Sequence, residues 1–488
     1  MLQDADAGGE CVSWCCFVEQ DIRIGGATVV AANVTGVGTW KHRRRSGYSS
    51  IVLEGALQWM KRQGMHITLL SGVPNYYHQF GYVSVMPEHT INVLASTVTE
   101  RAACAPGGLT IVDATPDDAP AICAIYNADN ATRTLSVARP LEMVTAQLEA
   151  AIRSRQPDPP MRSWRFVQTP DNRLGRLLSV TEDETTARVR FFGELPEDVD
   201  PDDVTAKSDD PDNKHYEMEV PAEGLTRASF WGSNWRTVRD ESGEIIAYFS
   251  WSEPRRSPWG NRGSTVNWDS VDVYGWQADN IGRGGADKDA LSGPAVQLSE
   301  LGGPTRAFPA VAAYLAEQAP EGARIQASLP ADHLFCRYLR QVGAFEYTTH
   351  PWSAHTMVRV VDQAKLFQAL LPEIGRRLWT SSSAEARAWR GVAAFTTELG
   401  TVCLSVEGDA DTEPIVSIID GSAAASAECT LAVPQHRLTQ LLFGTVTLDI
   451  VALDEGQSVT LPTNAQVGCA MSAMFPPGTP WRWDLDFM

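Results

Sequence analysis

An α+β fold in about three domains is what this sequence predicts, and three observations carry that expectation. The chain has 488 residues, and roughly 150 residues make a domain. Near the N-terminus an antiparallel hairpin runs straight into a strand–loop–helix–strand unit, so one sheet must hold both antiparallel and parallel pairs. A strand–helix–glycine order returns, more weakly, between residues 310 and 343, which suggests a diverged duplication. The hydrophobic fraction of 43% and charged fraction of 20% are those of an ordinary globular chain.

The elements follow in order. Ile22-Arg23-Ile24, the turn Gly25-Gly26 and Ala27-Thr28-Val29-Val30 read as a hairpin closed by two glycines. A β-rich run over 34–39 leads into Trp40-Lys41-His42-Arg43-Arg44-Arg45-Ser46-Gly47-Tyr48, a basic loop. Ile51, Val52, Ala56, Leu57 and Met60 then recur at helical spacing over 49–63, and Gly64 supplies the stop. A basic loop at a helix start is a candidate phosphate seat, because free N–H groups and the helix dipole favour anions there. A short strand over 67–70 precedes the compact aromatic segment Asn75-Tyr76-Tyr77-His78-Gln79-Phe80-Gly81-Tyr82.

Residues 101–108 read as a linker, and 111–118 as a strand ending in helix-start chemistry, with a helix through Ile122 and Tyr126 behind it. The acidic tract 198–213 reads as a solvated loop or insertion. A strand over 245–251, a turn-rich stretch 253–264, a helix over 310–319, a strand over 325–329 and a helix over 333–341 before Gly343 complete the second block. The last block offers a strand from Thr356, a helix over 362–375, strands over 392–395 and 402–406, and a helix over 435–442. The tail, with Phe475, Trp481, Trp483 and Phe487, is too aromatic to fray and is expected to dock into a groove.

Lys+Arg number 40 against 60 Asp+Glu, a formal net charge of −20. Nucleic-acid binding needs a basic face and is not expected, whereas a cationic ligand would be drawn in. No apolar stretch reaches the ~18–20 residues that span a bilayer, and the acidic start Met1-Leu2-Gln3-Asp4-Ala5-Asp6 does not read as a signal peptide. Nine scattered cysteines suit a reducing cytoplasm. Cys11, Cys15 and Cys16 have no second pair at zinc-like spacing and are expected as core residues of a strand, so no metal is expected.

Gly36-Val37-Gly38-Thr39 followed by Arg44-Arg45-Ser46-Gly47-Tyr48-Ser49 resembles the acyl-CoA loop Arg-x-x-Gly-x-Gly/Ala of GNAT N-acetyltransferases, with Ser49 in the last small position. Tyr77-His78-Gln79-Phe80-Gly81-Tyr82 is similar to the Tyr-x-x-Phe-Gly-Tyr segment of the Eis (enhanced intracellular survival) branch. Residues 127–139 resemble the opening of that branch's second GNAT-like domain, and 357–361 with the Phe-Pro-Pro tail resemble its sterol-carrier-protein-like C-terminal domain. The resemblance implies tandem GNAT folds, with mixed central sheets flanked by helices, and a C-terminal α+β domain. The expected division is 1–103, 104–354 (degenerate, lacking the acyl-CoA loop) and 355–488. It also implies a strand and two helices before the hairpin, where this sequence has only Met1 to Cys11, and a homo-oligomer, a hexamer in the family.

Acetyl-CoA is the co-substrate the resemblance implies, with a small-molecule or peptide amine as acceptor: an aminoglycoside, a polyamine or a lysine. Backbone N–H groups over 45–49 suit the pyrophosphate, with Arg44 and Arg45 adding charge-assisted contacts. By the family pattern Val37, Gly38 and Thr39 line the pantetheine through their backbone. Tyr77 is the expected general acid, since a phenol near ~10 can protonate a thiolate whose acid sits near ~8.5. The resemblance makes the terminal carboxylate, here on Met488, the base. An α-carboxyl near ~3.5 needs burial or a water relay to serve, and the family's tail ends in an aromatic residue where this one ends Phe487-Met488. His78 is the other candidate base, and Tyr76 and Tyr82 are expected as core residues. A second reading keeps the scaffold without turnover, as a CoA- or lipid-binding protein.

Overall fold

The computed structural model describes residues 2–4, 10–40, 43–101, 107–153, 166–168, 174–181, 183, 185–192, 200–208, 215–223, 225–227, 234–252, 295–453, 464–483 and 486. The first unit comprises β1 (Leu2–Asp4), β2 (Glu10–Ile24), β3 (Ala27–Thr39), α1 (Tyr48–Arg62), β4 (Ile67–Gly72), a 3-10 turn at Tyr77–Phe80 and β5 (Val83–Ser84). Then come β6 (Glu88–Leu94), α2 (Ala95–Arg101), β7 (Thr110–Asp113), α3 (Ala119–Asp129) and α4 (Leu141–Arg153). Six strands form a sheet of their own: β8 (Phe166–Gln168), β9 (Leu174–Val180), β10 (Thr186–Phe192), β11 (Val204–Ser208), β12 (His215–Pro221) and β13 (Thr226–Arg227). The second unit resumes with β14 (Asn234–Arg239), β15 (Ile245–Ser252), β16 (Ala295–Gly302), α5 (Phe308–Glu317), β17 (Arg324–Ala327), α6 (Leu334–Val342) and β18 (Phe345–Thr349). After β19 (His355–Val360) the last unit holds α7 (Gln363–Trp379), α8 (Ala384–Ala388), β20 (Gly391–Thr397), β21 (Gly400–Glu407), β22 (Ile415–Ile419), β23 (Cys429–Ala432), α9 (Gln435–Phe443), α10 (Leu448–Ala452) and α11 (Ala465–Met474).

The glycine hairpin forms as expected, with Ile24 opposite Ala27 and Gly25 in the left-handed region at φ 59°. α1 buries Val52, Leu53, Leu57 and Met60 on one face and ends before Gly64, whose φ of 83° lets the chain turn away. β3 separates two cores by simple alternation. Ala32 and Val34 pack on the α1 side with Tyr82, while Val29 and Ala31 join Leu366, Phe367, Leu370 and Ile374 of α7.

The sheets of the first and second units exchange a strand. The first runs β1-β2-β3-β4-β19-β5 and the second β18-β6-β17-β16-β15-β14-β7. β6 therefore leaves the first unit to pair antiparallel with β17, and β19 returns from beyond the second unit to pair antiparallel with β4. Each strand thus pairs across a division expected near 103 or 354. The acidic tract is not loop throughout: Val204 and Ala206 turn inward and β11 pairs with β12. The turn-rich stretch 253–264 lies outside the described residues. The tail docks as expected, with Phe475, Trp481, Arg482 and Trp483 buried.

The same hydrogen-bond register occurs in both of these sheets. β3 pairs parallel with β4 over four residues, ending at Val34–Leu70, and Thr35 then bulges out against β2. β16 pairs parallel with β17 over four residues, ending at Leu298–Ala327, and Ser299 bulges out against β15. A bulge placed one residue after the last parallel pair, twice, is a device for splaying a strand from its neighbour.

Candidate active site

The first splay sets the site. Beyond Val34 the edge of β3 that faced β4 has no ladder partner among the described residues, so the peptide groups of Gly36, Val37, Gly38 and Thr39 line an open wedge. Their other edge stays paired to β2, with Trp14 opposite Gly38 and Ser13 opposite Thr39. The Ser13 hydroxyl donates to the Gly38 carbonyl (2.9 Å) and lies 2.9 Å from the Thr39 hydroxyl. At Gly38 a Cβ would fall 2.3 Å from the Trp14 ring, which would have to shift to admit one.

From Thr39 the chain enters the basic loop. Arg44 Nε donates back to the Thr39 carbonyl (3.4 Å), and Arg45 and Gly47 both take left-handed conformations, at φ 63° and 79°. That curvature brings Gly47 to the helix start, where its carbonyl accepts from the N–H groups of Ser50 and Ile51. Among the described residues no side chain caps α1, and no acidic residue sits in its first turn. Among the same residues the N–H groups of Tyr48 and Ser49 are thus the unshared donors of a helix N-terminus, beside an exposed loop that carries Arg44, Arg45 and Ser46.

The aromatic segment forms the far wall. Asn75, left-handed at φ 58°, is held by Ser353, whose carbonyl and hydroxyl both accept from its N–H (3.2 and 3.3 Å). Tyr77 is half-buried; its ring stands edge-on to Tyr76 (centroids 4.9 Å) and Tyr82 (6.0 Å). It closes over Gly72 at the end of β4, where a Cβ would come within 3.2 Å of its Cδ2. Tyr77 and Val37, the expected acid and a residue of the expected cofactor strand, pack against the same core cluster.

Tyr76 is not simply a core residue: its hydroxyl donates to Ser49 (2.7 Å), tying the aromatic wall to the start of α1. Tyr82 is buried as expected and shares a 3.1 Å hydrogen bond with Thr68, and burial pushes its phenol well above the usual range. His78 is exposed, 3.4 Å from the Ser353 hydroxyl and beside Trp352. Burial, with Cys16 adding to it, pushes the Cys15 thiol up to about 11, so it stays protonated at neutral pH. Cys16 departs from the expectation: strand alternation turns it outward. Among the described residues no group of three His, Cys, Asp or Glu side chains could hold a metal, and no helix is long and apolar enough to cross a membrane.

Met488 lies outside the described residues; the last described residue is Asp486, which is fully buried. Its backbone carbonyl accepts from Gln20 of β2 (3.0 Å), and Arg482 donates to Gln20 (2.8 Å) and to Asn33 of β3 (3.2 Å). The tail thus rests on β2 and β3, at residues that precede the splay. Sequence reasoning missed these partners, because Gln20 and Arg482 lie 462 residues apart and neither carries a local signal.

Residues 4–85 match the acetyltransferase (GNAT) domain family. No curated protein matches the chain. Among solved structures, a probable N-acyltransferase from Enterococcus faecalis superposes with a TM-score of 0.57 at 12% identity, covering 98% of this chain and 87% of that one. A GCN5-related N-acetyltransferase from Kribbella flavida gives 0.53 at 14%, over 98% and 86%. Eis1 from Mycobacterium abscessus gives 0.51 at 15%, over 97% and 88%. At such identities these likenesses concern the fold.

Proposed function

We propose that this chain, whose residues 4–85 form a GNAT-type acetyltransferase domain, moves an acetyl group from acetyl-CoA directly to the primary amine of a cationic small molecule or peptide. The observation that carries the reading is the splayed end of β3 running into the basic start of α1, whose first turn holds no acidic residue, with Tyr77 and Val37 packed against one core cluster. In this reading the N–H groups over 45–49, with Arg44 and Arg45, hold the pyrophosphate. The open edge of Val37, Gly38 and Thr39 aligns the pantetheine arm as an added strand would be aligned.

The amine nitrogen attacks the thioester carbonyl carbon, the C–S bond breaks, and the departing sulfur takes a proton from the Tyr77 hydroxyl. The amine's surplus proton goes to the terminal carboxylate of Met488, a role supported by the burial of Asp486 against Gln20. The net charge of −20 favours cationic acceptors. The last unit, a four-stranded sheet β22-β21-β20-β23 with helices about it, is read as sterol-carrier-protein-like in plan. We read the assembly as a cytoplasmic homo-hexamer, and a monomeric mass in light scattering would refute that.

The test is thiol release from acetyl-CoA across polyamines, aminoglycosides and lysine peptides. Tyr77→Phe should lower kcat about 100-fold while acetyl-CoA binding by calorimetry stays unchanged. Bound acetyl-CoA with no amine-dependent release from the unaltered protein would establish a binding protein instead.

A further inference from the structure

The second splay is not an empty copy of the first. By the shared register, Thr35, Gly36, Val37 and Gly38 correspond to Ser299, Glu300, Leu301 and Gly302. Where the first unit has a bare peptide edge at Gly36, the second places a carboxylate that is fully buried. The loop that follows differs as well. Gly303-Pro304-Thr305-Arg306-Ala307 contains a single basic residue, and the N–H of Gly303 is already taken by the Asp129 carboxylate (2.7 Å). An anion from within the chain thus occupies the donor just beyond the second splay.

Glu300 is engaged on both oxygens. Arg139 donates to it through two nitrogens at 2.7 Å each, and the Tyr248 hydroxyl donates to Oε1 at 2.7 Å. The third arm of Arg139, Nε, donates to Asp486 (2.6 Å), whose other oxygen accepts from Tyr126 (3.1 Å). Arg139 and both carboxylates are shut away from solvent. Further up the tail, the Trp481 N–H donates to the Thr134 carbonyl (2.9 Å), and the Trp483 indole donates to Asn130 (3.1 Å). Both tryptophans belong to the core of the second unit.

We propose that the second repeat has become a socket for the chain's own end rather than a second acetyl-CoA site. Arg139 is the positioning residue that fixes the tail at Asp486, two residues short of the terminal carboxylate. The positioning role rests on the acetyl-transfer reading above; the socket does not. A planar guanidinium that forks onto Glu300 and still reaches Asp486 fixes the tail in direction as well as depth.

The experiment compares the whole unaltered chain with Asp486→Asn, which preserves shape but removes the charge, and with Tyr126→Phe, a milder change that keeps the Arg139 pairs. Hydrogen exchange of the Trp481 amide should quicken about tenfold in Asp486→Asn and less in Tyr126→Phe. Calorimetry should give one acetyl-CoA per chain. In turnover, kcat should fall about tenfold with KM for acetyl-CoA within about twofold, since the Arg44 loop is untouched. A Trp481 amide that exchanges as in the unaltered chain, or two acetyl-CoA per chain, would overturn the socket. An unchanged kcat, whether or not KM rises, would overturn the positioning role. If the unaltered chain acetylates no amine, the acetyl-transfer reading falls, and exchange and stoichiometry still decide the socket.

Discussion

His333 shows how one residue couples the tail to pH. It caps α6, with its side chain accepting from the Phe335 N–H (3.1 Å), and its ring stands edge-on to Trp483. Burial, reinforced by Arg133 and opposed by the Leu301 carbonyl and Asp332, lowers its pKa from 6.5 to about 4. The folded state therefore keeps the ring neutral while the unfolded chain would protonate it. Its stabilising effect is complete above about pH 6.5 and is lost as pH falls toward 4, on the order of 3 kcal/mol in all. Urea midpoints at pH 7.5 and 5 should separate less in His333→Asn, which retains a capping acceptor, than in the unaltered protein; equal separations would refute the assignment. Sequence alone placed His333 at a helix start, because capping is local. It could not supply the burial, because Trp483 arrives from the other end of the chain. The same holds for Arg139, whose partner Glu300 is 161 residues away.

At the scale of elements, the wedge depends on β4 stopping at a glycine. A Cβ on Gly72 would meet Met357 Sδ at 2.5 Å, Leu70 Cδ1 at 3.1 Å and Tyr77 Cδ2 at 3.2 Å. Gly72→Ala should therefore cost about 1–3 kcal/mol through overpacking and displace the Tyr77 ring. Thermal unfolding reads the first effect; the second appears as a kcat loss with unchanged acetyl-CoA affinity. The hairpin, the basic loop and α1 were legible because turn chemistry, charge and helical period are contiguous. The strand β11 was not: its inward Val204 and Ala206 form too short an alternation to stand out among aspartates. The matched bulges at Thr35 and Ser299 showed only faintly in residue types, since they share backbone register and not side chains.

For the whole molecule, the strand exchange makes the first two units interdependent. Residues 1–103 lack β19, the strand that separates β4 from β5. Expressed alone they should leave a bare sheet edge and aggregate or remain unfolded, which circular dichroism and light scattering would show. A soluble, cooperatively melting fragment would contradict this. No sequence pattern announces such an exchange, because β6 and β19 read as ordinary strands whichever sheet they enter. The exchange also imposes a timetable on synthesis. The first sheet, begun at residue 2, stays incomplete until His355–Val360 has left the ribosome, and from β5 that is a wait of roughly 15–55 s at ~5–20 residues per second. Throughout that interval β4 presents an unpaired edge in the crowded cell, so a chaperone that shields nascent strands should raise the yield of this protein more than that of one whose sheets close in order.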